Sequence, residues 1–224
     1  MPDANSSPFF PSEQDPAILP APNAALSPVP RSRSRRTSTA LALPKFIGIA
    51  TDDLHLRPFS PAELLALREG DEQFAAESLL KPADGLRAML VSDEVSPAWL
   101  ERLYAAVDPD PWEFGYVVLE KMTGVAVGMA SFKGPPDDHG VVEIAYGIAP
   151  AYRGRGYATQ AAQGLVEFAS DDVRVRRIRA HTLPERNASA SVLTKTGFEL
   201  FGAVEDPEDG LVWRWDRDPD ARYR

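Results

Sequence analysis

The stretch from residue 141 to residue 169 constrains the fold more than any other part of the chain. Residues 141–148 are typical of a β-strand, and Pro150 ends its hydrogen-bonding ladder. A short loop with Gly154 and Gly156 follows, and apolar residues then recur with helical spacing up to residue 169. Loop amides that precede a helix N-terminus, with arginines beside them, indicate an anion-binding site.

The two faces of this strand differ in the size of their side chains. Alternation places Val142, Ile144, Tyr146 and Ile148 on one face, and Val141, Glu143, Ala145 and Gly147 on the other. Apart from the carboxylate of Glu143, the second face is small, which leaves room for a ligand along the strand. The sequence therefore predicts an anion site with a carboxylate next to it.

Two common phosphate-binding loops do not fit this stretch. A dinucleotide-binding loop has the pattern G-x-G-x-x-G/A, and Thr159 stands at its third small position. The loop also comes too late in the chain for the remaining strand–helix units of that fold. A Walker loop requires Gly-Lys-Ser/Thr, which is absent from the stretch.

The residues Arg153, Gly156 and Ala158 form the pattern R-x-x-G-x-A, which resembles the acetyl-CoA loop of the GNAT acyltransferase family. The flanking segments 142–150 and 183–198 are similar to the family's fourth strand and its last conserved block. The form of that block is typical of the RimJ/RimL-like branch. The resemblance covers about residues 54–216 and is strongest over 141–200, where three blocks occur in the right order and spacing.

The resemblance implies a mixed α/β fold of the GNAT acyl-CoA N-acyltransferase type. In this fold, helices flank a central, mostly antiparallel, twisted sheet that splays between its fourth and fifth strands. We expect one such domain over residues 46–218, followed by a C-terminal tail at 219–224. Residues 1–45 are predicted to be a disordered Pro/Ser-rich tail, because they hold nine of the 21 prolines and few periodic apolar residues.

The predicted elements follow the order β, several helices, β-β-β, α, β, α, β-β. Ser60 and Pro61 are typical of a helix start, and Gly197 suits the C-terminal cap of the last helix. Strands are predicted over 54–58, 114–120, 125–132, 141–148, 175–182, 198–202 and 211–215. Helical segments are predicted over 64–67, 72–80, 86–90, from 96 onward, 158–169 and 189–196.

The resemblance also implies which residues contact acetyl-CoA. The loop amides and the helix dipole would hold the CoA pyrophosphate, the strand end would pair with the pantetheine arm, and Asn187 would contact a pantetheine amide. The expected contact residues are Ile148, Arg153, Gly154, Arg155, Gly156, Tyr157, Ala158, Thr159 and Asn187. The alternative is an ordinary strand–turn–helix with exposed arginines, in which Asn187 only caps the following helix.

Acetylation of an amine requires a neutral amine, so a base must first remove a proton from the ammonium form. Glu143 is the predicted base; the alternatives are an anchor for the substrate ammonium, or structural pairing with Arg177, Arg179 or a neighbouring strand. Many family members carry a tyrosine on the last helix that protonates the leaving thiolate. Here that stretch reads Val-Leu-Thr at 192–194, so Ser189 is predicted to substitute, unless it only caps the helix.

Composition narrows the possible classes of function. The chain has no cysteine, which excludes disulfides, thiolate nucleophiles and Cys-based zinc sites. Its histidines, His55, His139 and His181, lack metal-ligand spacing and are predicted to be structural or on the surface, so no metal is expected. The net charge of −9 argues against nonspecific nucleic-acid binding. With no apolar run of spanning length and no secretory signal, we expect a cytoplasmic protein without a membrane segment.

The predicted function is therefore an N-acetyltransferase, acting as a monomer or homodimer. It would transfer acetyl from acetyl-CoA to a primary amine by direct attack, and the acceptor would be a protein N-terminus or a small amine. The alternative is a non-catalytic acyl-CoA-binding or interaction protein that keeps the fold. Residues 59–110, which would shape the acceptor pocket, resemble the family least, so the sequence does not choose the acceptor.

Overall fold

A computed structural model describes residues 48–91, 96–207 and 210–221 of the chain. The predicted disordered tail, residues 1–45, lies outside these described residues, and so does the end of the predicted C-terminal tail. The start of the domain at residue 46 therefore stays a prediction. Among the described residues, none of the helices has both the length and the apolar content that crossing a membrane requires.

The described residues form eight strands and six helices, with most of the helices between β2 and β3. The strands are β1 (Ile49–Ala50), β2 (Leu54–Pro58), β3 (Tyr116–Glu120), β4 (Ala126–Phe132), β5 (Val141–Ile148), β6 (Arg177–Thr182), β7 (Glu199–Asp206) and β8 (Gly210–Arg217). The helices are α1 (Pro61–Glu69), α2 (Asp71–Ser78), α3 (Pro97–Ala105), α4 (Pro111–Phe114), α5 (Tyr157–Ser170) and α6 (Ala188–Lys195). Short 3-10 turns occur at Arg87–Met89 and Pro150–Tyr152.

All eight strands belong to one sheet, in the order β1-β2-β3-β4-β5-β6-β8-β7. Neighbouring strands are antiparallel except β5 and β6, which run parallel. This parallel pairing covers only Val141–Glu143 of β5 against Arg177–Arg179 of β6. From residue 144 onward, β5 has no ladder partner on its β6 side in the described part of the chain, so the sheet opens between β5 and β6. The predicted splayed, mostly antiparallel sheet of the GNAT fold is therefore confirmed.

Helices cover both faces of the sheet and enclose two apolar clusters. Helix α5 packs on one face, where Leu165 and Ala161 are fully buried and Phe168 contacts the rings of Trp112 and Phe132. The second cluster joins α1 and α2 to the other face through residues that include Phe59, Leu64 and Phe74. The central position of α5 in the first cluster fixes its N-terminus at the open end of β5.

Local signals explain most of the element boundaries. The Ser60 hydroxyl accepts from the Glu63 amide while the Glu63 carboxylate accepts from the Ser60 amide, so α1 starts with a capping box as its sequence indicated. Gly197 has a φ of +79° and follows α6, as expected of a C-terminal glycine.

Several predicted bounds differ from the structure, and two of these differences have a clear local cause. The strand predicted from residue 114 begins at Tyr116, because Asp110 caps the short helix α4 and Gly115 turns the chain at a φ of +66°. The helix predicted over 86–90 is only a 3-10 turn, Arg87–Met89. In both places apolar residues face a buried surface, and a short apolar run does not by itself distinguish helix, turn and strand.

Candidate functional site

The loop between β5 and α5 is shaped by two glycines. Gly154 and Gly156 have φ values of +75° and +80°, in the left-handed region that side chains with a Cβ rarely adopt. A Cβ built on either glycine would meet no atom within 4 Å, so the space beside both is open. The loop backbone is therefore exposed to whatever binds at the start of α5.

The backbone N–H groups of residues 154–159 make no hydrogen bond within the described part of the chain. The first internal bond of the helix runs from the Gln160 N–H to the Gly156 carbonyl. Consecutive unpaired N–H groups at a helix N-terminus, together with the helix dipole, attract anions. Where the sequence predicts an anion site, the described chain offers a row of N–H donors without hydrogen bonds, at Gly154, Arg155, Gly156, Tyr157, Ala158 and Thr159.

The two loop arginines differ in their contacts. Arg153 donates from Nε to the Ile148 carbonyl at 3.0 Å and so ties the loop to the end of β5. Arg155 donates to Glu120 at 3.3 Å, and its guanidinium lies 5.0 Å from the ring centre of Tyr152. The Arg155 side chain is 51% exposed. Both cations lie at the loop, although each is engaged by the protein itself.

Glu120 anchors the start of α5, a role that the sequence did not reveal. Its buried carboxylate accepts hydrogen bonds from the hydroxyls of Thr123 and Tyr157, both at 2.6 Å, and from Arg155. The Thr123 and Tyr157 bonds hold the pKa of Glu120 below its usual range, and the Glu120 bond raises the pKa of Tyr157. Since the side chain of Tyr157 is held inside the protein, only its backbone N–H faces the predicted anion.

Glu143 lies on the accessible face of β5, next to the point where the sheet opens. Its side chain is 19% exposed, and Oε1 lies 3.1 Å from Lys133 Nζ at the end of β4. The suggested structural pairing with Arg177 or Arg179 is wrong, because both arginines contact Asp216 of β8 instead. The suggested pairing with a neighbouring strand is present, through the contact with Lys133 at the end of β4. The Glu143 carboxylate thus lies on the open face of β5 and forms no ion pair with these two arginines.

His181, predicted to be structural or on the surface, is a second titratable group at this position. Its Nδ1 lies 3.2 Å from Glu143 Oε1 and 3.8 Å from Asp206 Oδ2, and its side chain is 12% exposed. The β5–β6 register pairs Glu143 with Arg179, so a residue two positions further along β6 points to the same face. Sequence spacing alone did not reveal this proximity, because β5 and β6 are separated by the whole of α5.

The small-residue face of β5 is partly open. Ala145 is exposed, whereas a Cβ at Gly147 would lie 3.0 Å from the Met89 sulfur. Met89 comes from the 3-10 turn that follows α2, in the region where the sequence resembles the family least. The turn that carries Met89 therefore covers β5 at Gly147, whereas β5 stays accessible beside Glu143.

The geometry at the start of α6 shows whether Asn187 or Ser189 caps this helix. The Asn187 side chain accepts from the Ala190 amide at 2.9 Å and is the N-cap of α6. Ser189 follows in the first turn and is half-buried; its hydroxyl makes no hydrogen bond among the described residues. The interpretation of Ser189 as a helix cap is therefore wrong, and its hydroxyl is available as a donor.

Other concave or charged regions do not coincide with these residues. A groove of about 500 Å³ is lined by residues that include Arg177 of β6, Leu200 of β7 and Arg217 of β8, and it contains none of the predicted site residues. Within residues 48–91, 96–207 and 210–221, no three His, Asp or Glu side chains are grouped so that they could hold a metal ion.

Similarity to known proteins agrees with this geometry. A family model described as an acetyltransferase (GNAT) domain matches residues 53–199. Uncharacterized N-acetyltransferase YjdG of Bacillus subtilis (strain 168) is 33% identical over 85 residues, and uncharacterized N-acetyltransferase p20 of Bacillus licheniformis is 27% identical over 93 residues. These alignments cover 38% and 42% of this chain. They cover 51% and 52% of the relatives, so the chain spans about half the length of the curated relatives it matches.

A solved structure shows the same architecture. RimL, a ribosomal L7/L12 alpha-N-protein acetyltransferase in complex with coenzyme A, superposes with a TM-score of 0.55 at 19% sequence identity. The superposition covers 79% of this chain and 100% of that chain. At this identity the likeness shows the fold alone.

Proposed function

The chain belongs to the GNAT acetyltransferase family, and from this premise we propose that it transfers an acetyl group from acetyl-CoA to a primary amine. The observation that carries the proposal is the row of free backbone N–H groups at residues 154–159, beside the carboxylate of Glu143 at the opening of the sheet. Free N–H groups suit an anionic co-substrate, and a carboxylate suits an amine acceptor.

The anion in this proposal is the pyrophosphate of acetyl-CoA, which the family uses generally. The N–H groups of residues 154–159 donate to its oxygens, and the positive φ of Gly154 and Gly156 lets the backbone approach without a side chain in the way. Arg153 and Arg155 add positive charge nearby. The pantetheine arm then lies in the opening between β5 and β6, where the strand edge beyond residue 143 lacks a ladder partner in the described chain.

Glu143 is proposed to bind the acceptor as an ammonium ion and to take its proton, directly or through a water molecule. An alkyl ammonium has a pKa of about 10, so little neutral amine exists at neutral pH without such a base. The neutral amine attacks the thioester carbonyl carbon, a C–N bond forms, and the C–S bond breaks to release CoA as a thiolate. Ser189, whose hydroxyl has no hydrogen bond in the described chain, is proposed to donate a proton to that thiolate. The acylated nitrogen loses its second proton in the same step, and this proton restores the Ser189 hydroxyl.

The acceptor is proposed to be a protein N-terminus or a small amine. The name of RimL describes an acetyltransferase for the alpha-amine of a ribosomal protein, and the block at 183–198 resembles that branch. The helices that precede β3 carry the residues that would select the acceptor, and Met89 already reaches β5 from this region. We therefore propose a protein N-terminus and a small amine as the two acceptor classes to test.

One observation keeps a second function open, a non-catalytic acyl-CoA-binding protein with the same fold. Helix α6 has Val192, Leu193 and Thr194 where many family members carry the tyrosine that protonates the thiolate. Ser189 would have to supply that proton. If it does not, the chain retains the acetyl-CoA site and has no efficient chemistry.

A screen of acceptors distinguishes these two functions. Purified protein is incubated with acetyl-CoA and a panel of peptides, polyamines and amino acids, and CoA release is followed with a thiol reagent. The enzyme reading predicts release with at least one acceptor, together with a product 42 Da heavier by mass spectrometry. Thermal protection by acetyl-CoA without CoA release from any member of the panel would support the binding protein instead.

A further inference from the structure

One oxygen of Glu143 lies between an ammonium and an imidazole. Oε1 is 3.1 Å from Lys133 Nζ and 3.2 Å from His181 Nδ1. Both distances are within the range of a hydrogen bond. The Lys133 ammonium thus shows that a cationic amine fits against the same oxygen that faces the imidazole.

His181 is placed to accept a proton. Its Nδ1 is buried and makes no aligned hydrogen bond among the described residues, although Glu143 lies within reach. A small rotation of the ring or of the carboxylate would align the two groups. In the tautomer that carries its proton on Nε2, Nδ1 is a vacant acceptor aimed at the proposed base.

Charged groups of both signs lie around His181. Glu143 of β5 and Asp206 of β7 lie 3.2 Å and 3.8 Å from Nδ1. Arg214, its register partner on β8, and Arg179 of β6 are both held by Asp216. Lys133 is the remaining cation and contacts Glu143. The two carboxylates are therefore the charged groups nearest to Nδ1, so a proton that reaches Nδ1 lies between two groups of opposite charge.

We propose that His181 and Glu143 act together as one base, in which Glu143 Oε1 receives the proton of the acceptor ammonium and passes it to Nδ1 of His181. The inference rests on the proposed acetyltransferase function and adds a second residue to it. The acceptor ammonium displaces Lys133 Nζ from Oε1, a position that the lysine shows to be suitable for a cation. The same oxygen then connects the amine to the imidazole, so no proton has to cross the carboxylate.

The proton and electron pairs balance in this sequence. The ammonium loses one N–H bond to Oε1, and the freed lone pair attacks the thioester carbon. The nitrogen of the resulting adduct carries a positive charge and loses a second proton as the C–S bond breaks. The electron pair of the C–S bond leaves with the CoA thiolate, which takes a proton from Ser189, and the second proton of the nitrogen replaces the one that Ser189 gave. The proton moves from Oε1 to Nδ1 and rests on an imidazolium flanked by Glu143 and Asp206, from which it returns to solvent after the turnover.

The first test compares His181→Gln with His55→Gln, a control at a histidine on β2 outside the site. We expect His181→Gln to lower kcat at pH 7 by about 100-fold, the low end of what a positioned base contributes. His55→Gln should retain wild-type kcat, and acetyl-CoA should protect both variants against heating as it protects the wild type. Wild-type kcat in folded His181→Gln, with Glu143→Gln still inactive, would overturn the inference and leave the proposed function intact.

The pH profile gives a readout that a structural role would not change. An imidazole ordinarily titrates near pH 6.5 and a glutamate near 4.3, so the acid limb of kcat should move toward the carboxylate range in His181→Gln. If that variant does not fold, Asp206→Asn keeps the imidazole and removes one carboxylate beside it, and the acid limb should then move to lower pH. An acid limb at the wild-type position in the variant measured contradicts the inference. Absence of CoA release from the wild type with every acceptor is a different result and refutes the proposed function itself.

Discussion

At Gly156 the backbone adopts a φ of +80° immediately before α5, and the space around it is open. Replacing Gly156 by alanine places a methyl group beside the free N–H groups and strains the backbone by about 1–2 kcal/mol. Gly210 offers a matched control, since its φ is +70° and a Cβ there would also meet no atom within 4 Å. Without acetyl-CoA, both variants should lose a similar amount of unfolding free energy.

Acetyl-CoA should distinguish the two glycine variants. We expect its thermal protection to remain in Gly210→Ala and to fall in Gly156→Ala, where a tenfold weaker Kd removes about 1.4 kcal/mol of stabilisation. Differential scanning fluorimetry at a fixed acetyl-CoA concentration measures this difference. Equal protection of both variants would show that the loop at 154–159 does not hold the co-substrate.

Ser189 carries the proton-donor role in the proposed mechanism. Ser189→Ala should lower kcat by about 100-fold, the low end of the contribution of a positioned acid, and leave acetyl-CoA protection unchanged. Ser191→Ala is the control, because its hydroxyl donates to the Asn187 carbonyl on the exposed side of the same helix. If steady-state assays give Ser189→Ala the kcat of Ser191→Ala, the thiolate leaves without help from this hydroxyl.

At the scale of elements, the N-terminus of α5 depends on the bond between Tyr157 and Glu120. Tyr157→Phe removes a 2.6 Å hydrogen bond to a buried carboxylate and should cost about 1–3 kcal/mol of unfolding free energy. Tyr152→Phe is a suitable control, since the Tyr152 hydroxyl makes no hydrogen bond within the described residues. Denaturant unfolding at pH 7 measures both losses, and equal stability of the two variants would contradict the anchoring role.

The same bond gives a pH dependence whose sign follows from Glu120. Hydrogen bonds from Thr123 and then Tyr157 lower the folded-state pKa of Glu120. Its stabilising contribution is therefore fully present above the unfolded value of about 4.3 and is lost as pH falls through the folded value. The stability of Tyr157→Phe should fall less steeply below pH 4.3 than that of the wild type. Parallel pH curves would show that this hydroxyl does not set the ionisation of Glu120.

The elements with strong local signals were predicted from the sequence. Strand β5 has the predicted bounds, 141–148, because its alternation and Pro150 are both local features. Ser60 starts α1 as expected. The short helix α4 was missed, since its cap Asp110 was not recognised and Phe114 also suits a strand.

The sequence predicted the part of the candidate site that lies in one continuous stretch of chain. It missed the residues that strand pairing brings to the site from other parts of the chain. The loop at 153–159 and Glu143 belong to one stretch of chain, so their proximity follows from strand and helix geometry. Lys133, His181 and Glu120 reach the site through the pairing of β3, β4, β5 and β6. Strand register is a non-local property, and one sequence does not specify it well enough to place side chains from different strands together.

At the scale of the whole molecule, the opening between β5 and β6 connects the two halves of the proposed chemistry. The opening begins just after Glu143. Helix α5 starts near the other end of the opening, and the free N–H groups lie at this start of α5. The buried face of α5 holds this helix against the sheet, so the distance between the anion site and the carboxylate is fixed by the core. In the proposed function, one acetyl-CoA molecule spans the anion site and the opening, and the acceptor amine meets it beside Glu143.

The most direct test of this claim is CoA release measured with two forms of each acceptor. One form has a free primary amine and the other carries the same molecule with that amine blocked by acetylation. Acetyl-CoA is kept saturating, and the thiol is quantified together with the mass of the product. We predict that at least one free peptide or small amine gives CoA and acetylated product in equal amounts, and that its blocked form gives neither. Release at the same rate from free and blocked forms, or from none of them, would contradict the account.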